Sequence, residues 1–522
     1  MARLAADGSL LEGARPGTAS PGPRQARHYV AANISNMIGS MNKEAIILTV
    51  GTLAIAAPPR RESPLRLFEP LLRGLRGQCT RLAAALLSGA VAVSAACAAA
   101  PDAVPDAATF EEAYVYALPV FEIARTRYAG TALRPADKSA LNRLMHRRTL
   151  STHENRTVTT PNNDTLYSQA FLDLSRSAVE ISTPDFAGRY FSIAFMDAFT
   201  NNFVTVGRRT TGTRPQHYLV VGPGWKGSAQ PGVTLIHAPG NWVWVLVRIL
   251  IQGPEEYAEV QRLQDAIVLN VVTPFAPEPA IAPTPDDAEN FIAVVNQALG
   301  LNPPPPADRA VLERIARVGI GPGLSVPDGA VLQSWKTQFP TLRKHLFDTF
   351  ESLQPPTVHD GWNYRTADLG NFGTDYPFRA IVAIVGLAAL EPAEVVYSNA
   401  VGDKDGNPLL SDRHYRWRIP PGGLPVDAFW SLTAYEETPQ GALYFADNPI
   451  HRYAIGDRTR GLLKNPDGSI DVLIQHDPPQ GPLAANWLPI PSGPVKLTLR
   501  AYQPRAELLD GRYRFPGIEW VR

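Results

Sequence analysis

The chain is 522 residues long, 45% hydrophobic and 19% charged, and its 49 basic residues are balanced by 49 acidic ones. These values exclude a disordered, collagen-like or coiled-coil chain and leave no uncompensated cationic surface, so no nucleic-acid partner is expected. The 49 prolines favour strands joined by rigid turns over long uninterrupted helices, and the length suffices for two to four domains of ~100 to 200 residues.

Residues 1–98 read as a leader. All nine Trp lie at or beyond Trp225, and this N-terminal stretch is rich in Ala, Arg, Gly and Pro without the bulky groups that build a core. Arg73, Arg76 and Arg81 precede an apolar run over 82–96, and the small residues Ala96, Cys97 and Ala98 follow. That is the three-part pattern of a secretory signal, and the run is too short to span a bilayer. Because it sits well inside the chain, and Met41 with Lys43 opens a second apolar run over 45–57, an over-extended start is expected. The expected location is periplasmic or secreted. Cleavage near Ala98 is one outcome; lipidation of Cys97, the only membrane attachment foreseen, is the other. Cys79 and Cys97 are the only cysteines, so the rest of the chain has no disulfide, thiol nucleophile or thiolate metal ligand.

In the body, Thr109 and Glu112 read as a capping box, and Phe110, Ala113, Tyr114, Ala117, Leu118 and Phe121 follow at helical spacing. They predict an amphipathic helix bent at Pro119. Short runs punctuated by Gly, Pro and Asn predict strands over 170–174, 179–182, 190–196, 203–206, 217–221, 233–237 and 242–250. A helical period returns over 255–269, 286–299, 308–318, 330–353 and 378–390, with proline-rich stretches such as 303–306 between. Strand signals then resume over 394–399, 415–419, 428–435, 469–475 and 495–502. Asp403-Lys-Asp-Gly406 and Asn465-Pro-Asp-Gly468 predict hairpin turns between strand pairs. The fold expected is mainly β with a helical middle: β domains over 105–253 and 391–522 and a connector over 254–390. No short-period repeat is visible.

Pro161-Asn-Asn-Asp-Thr-Leu-Tyr-Ser168, Gly188-Arg-Tyr-Phe-Ser192 and Met196-Asp-Ala-Phe-Thr-Asn-Asn202 resemble the domain of unknown function DUF1254. Phe429-Trp-Ser-Leu-Thr-Ala-Tyr435, Asn448-Pro-Ile-His-Arg-Tyr-Ala-Ile-Gly-Asp457, Ile474-Gln-His-Asp477, Asn486-Trp-Leu-Pro489 and Leu497-Thr-Leu-Arg-Ala-Tyr502 resemble its usual partner, DUF1214. His451 departs from the residue common at its place in the Asn-Pro-x-x-Arg-Tyr segment. The resemblance implies an exported bacterial protein with two jelly-roll-like antiparallel β-sandwich domains, and no settled activity.

Several polar clusters are candidate sites. Asn162, Asn163 and Asp164 form either a structural turn or a polar pocket floor, with Tyr167 stacking on a ligand and Asp164 as base or acceptor. Asp197 and Asn201 follow a strand signal, where sites are often built. Asn448, Arg452, Tyr453, Asp457 and Arg458 suit a sugar-like ligand or an internal ion-pair network. Gln475 and His476 precede Asp477, and a His beside a carboxylate can act as an oriented base, although neighbours on a strand face opposite ways. Trp430, Tyr435, Asn486 and Trp487 offer an aromatic and amide platform or plain core packing.

No zinc-protease helix, nucleophile elbow or Walker loop is present, and Gly319-Ile-Gly-Pro-Gly323 follows a helical pattern rather than a strand. No cofactor is expected. No metal is expected either, because the histidines are scattered without a close pair at ligand spacing, which leaves only a site assembled from distant strands. The leading expectation is a protein that binds a polar small molecule or glycan in a cleft of its β domains. The alternative is a hydrolase or lyase using Asp164 or His476 as base and Arg452 to stabilise negative charge. Oligomeric state is not legible.

Overall fold

The computed structural model describes residues 104–156, 159–353, 357–364, 368–438 and 442–521. Residues 1–98, read above as a leader and carrying both cysteines, lie outside the described residues. What the rest shows is the expected fold, mainly β with a helical middle and two sandwiches.

The N-terminal sandwich consists of β1 (Met145–His146), β2 (Thr165–Asp173), β3 (Val179–Thr183), β4 (Phe191–Met196), β5 (Asn202–Gly207), β6 (Gln216–Val221), β7 (Thr234–His237), β8 (Trp242–Leu250) and β9 (Val268–Val271). Its sheets run β1-β2-β8-β4-β5 and β7-β6-β3-β9. Alternation along each strand sends Leu166, Ala170, Ile193, Phe195, Val245 and Val247 of the first sheet against Val179, Ile181, Tyr218 and Val220 of the second, forming one apolar core. A helix was expected over 255–269, but it stops at Asp265, and Val268–Val271 instead extends the second sheet beside β3. Val268 and Asn270 alternate outward with Leu269 and Val271 half-buried, the period of an edge strand rather than a helix.

The C-terminal sandwich consists of β10 (Thr357–His359), β11 (Trp362–Tyr364), β12 (Val395–Ala400), β13 (His414–Ile419), β14 (Val426–Glu437), β15 (Leu443–Tyr444), β16 (Ala454–Gly456), β17 (Ile470–Gln475), β18 (Trp487–Pro489), β19 (Val495–Pro504) and β20 (Ile518–Val521). Its sheets run β10-β11-β12-β19-β14-β15, with β16 also on β14, and β18-β17-β13-β20. The two predicted hairpin turns are real turns, with Gly406 N bonded to Asp403 O at 3.0 Å and Gly468 N to Asn465 O at 2.8 Å. They do not make hairpins. Each joins strands of opposite sheets, β12 to β13 and β16 to β17, because inward-facing Trp417, Val472 and Ile474 are needed on the far side of the core.

Between and beside the sandwiches lies a helical layer: α1 (Ala107–Gly130), α2 (Tyr257–Asp265), α3 (Ala288–Leu301), α4 (Arg309–Ile315), α5 (Gly329–Leu353) and α6 (Tyr376–Val385). Asp106, rather than Thr109, caps α1, its carboxylate accepting from Thr109 N at 3.1 Å, while Glu112 pairs with Arg314. The helix is not amphipathic. Every residue over 113–124 is buried, because α3, α5 and α6 enclose one side and Met196, Trp242 and Leu246 of the first sheet the other. The connector is therefore not a spacer: with α1 it builds its own core around Phe121, Phe291, Trp335 and Phe339.

The two sandwiches repeat one another. Strands β2, β8, β4 and β5 lie in the order of β12, β19, β14 and β16, and β7-β6-β3-β9 in the order of β18-β17-β13-β20. A parallel strand pair in each sandwich, β6 with β7 and β17 with β18, falls at the same place. Registers agree too. Tyr167 faces Arg248, which faces Ser192, and Tyr397 faces Arg500, which faces Ser431.

Candidate functional site

The outer face of β2-β8-β4 meets the matching face of β12-β19-β14, and the repeat makes the contact reciprocal. Asp164, just before β2, pairs with Arg458 just after β16. Glu394, just before β12, receives Arg209 Nε, just after β5, at 2.7 Å. Each acid is answered by the arginine of the other sandwich, the signature of a twofold-like contact within a single chain. Both acids are about 1% exposed and carry a further hydroxyl donor: Ser431 Oγ to Asp164 at 2.7 Å and Tyr190 Oη to Glu394 at 2.8 Å.

Inside this frame is a layer of tyrosines and arginines. Tyr190, Phe429 and Tyr502 form an aromatic cluster, with Phe429 and Tyr502 stacked at 4.0 Å. Asn162 holds the entry turn, accepting from Asp164 N and Thr165 N and donating to Tyr502 Oη at 2.8 Å. Burial, and then the charges of Asp164 and Glu394, push the Tyr502 and Tyr190 phenols well above their ordinary range, so both stay protonated. Arg500 donates to Thr433 Oγ1 at 2.9 Å and Tyr435 Oη at 2.8 Å, and Tyr435 donates on to Pro161 O. Arg248 lies over the Tyr167 ring at 5.2 Å and donates to Ala388 O at 2.8 Å. Neither Arg248 nor Arg500 forms an ion pair among the described residues, and Arg248 Nη1 has no hydrogen-bond partner there. Asn163 Oδ1 is likewise without one.

The family described as a protein of unknown function, DUF1254, matches residues 141–270, and that described as DUF1214 matches residues 394–506. The chain carries both domains of this two-domain family. The crystal structure of a Vibrio parahaemolyticus protein is similar in fold, at TM-score 0.61 and 23% identity over 80% of this chain and 99% of that one. A structure of an uncharacterised Burkholderia cenocepacia protein aligns at TM-score 0.40 and 14% identity, over 81% of this chain and 91% of that one. No curated protein matches.

The shared face joins the DUF1254 residues Asn162, Asn163, Asp164 and Tyr167 to the DUF1214 residue Tyr435. It does not bring Arg452 or His476 to Asp164. Arg452 Nη1 donates to Ala485 O and Trp487 O, tying down a loop, and His476 is exposed with Nδ1 3.0 Å from Ile490 O. Asp457 is exposed next to Arg458 and accepts from Trp430 N at 3.3 Å. Trp430 lies in the DUF1214 core against Trp417, Asn486 is buried bridging Leu463 and Asp471, and Trp487 donates to Gln475 O. Gln475 itself turns back to Asp477 O. Asn448 closes its own loop by bonding Arg452 N and O, while Tyr453 stacks on Phe445 and reaches His153.

Asp197 and Asn201 belong elsewhere, at the helical layer. Asp197 accepts from Phe199 N and Asn201 N, and Asn201 Oδ1 accepts from Phe372 N. Sequence reasoning placed Arg458 in the wrong cluster and missed Arg248, Arg500, Ser431 and Tyr502. A signal was available: Tyr167-Ser-Gln-Ala170 against Tyr397-Ser-Asn-Ala400, and Gly207-Arg-Arg-Thr210 against Gly456-Asp-Arg-Thr459, mark a domain-length repeat whose matched arginines, Arg209 and Arg458, each pair with an acid of the other sandwich.

Proposed function

We propose that the protein binds a small polar molecule or glycan bearing an acidic group at the face shared by its two sandwiches. The reading is carried by Arg248: a guanidinium 5% exposed, without an ion-pair partner and with Nη1 unbonded among the described residues. A buried cation left this way is expensive, and a carboxylate is the group a guanidinium fork recognises best. Tyr167 and Asn163, half-buried at the edge of the same layer, supply an aromatic face and an amide acceptor for hydroxyl groups. The hydrolase or lyase alternative draws no comparable support, since Arg452 donates to the carbonyls of Ala485 and Trp487, Asp164 is paired with Arg458, and His476 Nδ1 sits against Ile490 O.

The proposal has the protein exported, resting on the pattern from Arg73 to Ala98 alone. The test is mass spectrometry of small molecules released on denaturing natively purified protein, with thermal-shift titration of uronic acids and short organic acids against neutral sugars. Acidic compounds should raise the melting temperature, Arg248→Met should abolish the shift, and Arg248→Lys should retain part of it. Circular dichroism of each variant separates lost binding from lost folding. No released compound together with no shift, or a shift that Arg248→Met leaves intact in folded protein, overturns the proposal.

A further inference from the structure

The segment 151–156 leaves the DUF1254 sandwich and lies on the DUF1214 sandwich. Arg156 pairs with Glu436 and stacks over Tyr444 at 5.0 Å, and His153 Nδ1 sits 2.9 Å from Tyr453 Oη. Tyr453 is buried and stacked on Phe445 at 4.7 Å, so its hydroxyl is a fixed point that sets the plane of the His153 ring. Opposite, the loop after β15 presents Asp447 and His451. Asn448 closes that loop through Arg452, with Oδ1 accepting Arg452 N at 2.9 Å and Nδ2 donating to Arg452 O at 3.1 Å. Asp447 Oδ1 lies 3.5 Å from His153 Nδ1 and 3.9 Å from His451 Nδ1, and the two imidazoles are parallel within 10° at 6.1 Å.

One donor atom from each of the three side chains falls within 4.8 Å of the others. Around an ion with bonds of about 2.1 Å, tetrahedral donors stand about 3.4 Å apart, so closure needs shifts of little more than an ångström. Asp447 and His451 are exposed and free to make them, while His153 is already held. The Tyr453 hydroxyl occupies Nδ1, the same nitrogen that lies 3.5 Å from Asp447, so the ion either takes Nε2, with Nδ1 held by the hydroxyl as metal-bound histidines favour, or takes Nδ1 in place of that hydrogen bond. Two imidazoles and one carboxylate suit borderline ions, whereas calcium and magnesium prefer all-oxygen sets.

We infer that His153, Asp447 and His451 form a site for a divalent transition-metal ion of the zinc, cobalt and nickel class. Bound there, the ion clamps the DUF1254 segment to the DUF1214 sandwich and, with three protein ligands at an exposed position, keeps a coordination place open to solvent or ligand. The site is independent of the binding face around Arg248.

The test uses the full chain, free of any affinity tag and carrying Cys79→Ser and Cys97→Ser so that no thiolate competes. Equilibrium dialysis against Zn²⁺, visible absorption with Co²⁺ and thermal melting with and without Zn²⁺ are compared for this protein and for His153→Ala and His451→Gly. His451 has φ +49°, a left-handed conformation that glycine adopts freely, so the second variant removes a ligand without straining the fold. One equivalent of Zn²⁺, a Co²⁺ ligand-field band, a raised melting temperature, and at least about tenfold weaker uptake in each variant are expected. Sub-stoichiometric uptake, uptake unchanged in His451→Gly, or equal uptake of Mg²⁺ overturns the assignment.

Discussion

At the scale of residues, burial decides what a polar side chain does. Asp164 and Asp197 are both buried aspartates beside short turns, yet one meets an arginine of the opposite sandwich and the other mainly backbone amides. Burial pushes the Asp197 carboxyl up to about 6 from the 3.8 of an open chain, against the pull of its hydrogen bonds and of Arg379. The native state thus holds the proton more tightly, which adds stability that is complete below about pH 3.8 and lost as pH rises through about 6. Asp197→Asn abolishes this step. Relative to the parent, the variant should gain up to about 3 kcal/mol between pH 3.5 and pH 7.5, measured by urea unfolding at both values. Equal differences at the two pH values would mean that the carboxyl titrates in the native state as it does in the unfolded chain.

At the scale of elements, the repeat is maintained by close backbone approaches. Gly207 on β5 faces Ser192, and Gly456 on β16 faces Ser431. A Cβ on Gly207 would stand 2.5 Å from Phe191 O, and one on Gly456 2.2 Å from Trp430 O. Both contacts are to backbone, so the strand pair itself must move. Gly207→Ala and Gly456→Ala should each cost about 2 kcal/mol, read as a lower denaturant midpoint with unchanged slope. Strand existence was legible from short apolar runs: 242–250 was read at its observed bounds, and most others within a few residues. Sheet membership was not. Asp403-Lys-Asp-Gly406 and Asn465-Pro-Asp-Gly468 specify a reversal of direction, while the sheet the next strand joins depends on which core face its apolar residues must fill.

At the scale of the whole molecule, the sandwiches are joined through charge and hydroxyl groups buried between two sheets as well as through apolar packing. Removing one partner of a buried ion pair leaves the other uncompensated, at about 3 to 5 kcal/mol. Arg458 and Arg209 are partly exposed, so the effect should fall at or below the lower end of that range. Because the two pairs are reciprocal, losing both should uncouple the sandwiches. Calorimetry of the parent should show one unfolding transition, and Arg209→Ala with Arg458→Ala should split it into two. A variant that still unfolds in one transition would mean that the helical layer, and not the ion pairs, couples the halves.

The sequence by itself determined the class of fold, the two-domain family, the placement of both cysteines within residues 1–98 and the turn around Asn162 and Asp164. These are local properties, set by periodicity, composition and short motifs over a few residues. Only the tertiary structure decided that α1 is buried all round over 113–124, that Trp430 and Asn486 belong to the DUF1214 half's own structure and that Arg452 ties down a loop. It alone joined Asp164 to Arg458 and set His153 beside Tyr453, 300 residues away in the chain. The physical reason is the same in each case. A side chain's chemistry follows from what desolvates it and what answers its charge, and for Asp164 and Glu394 the answering arginines come from the other copy of a repeated sandwich.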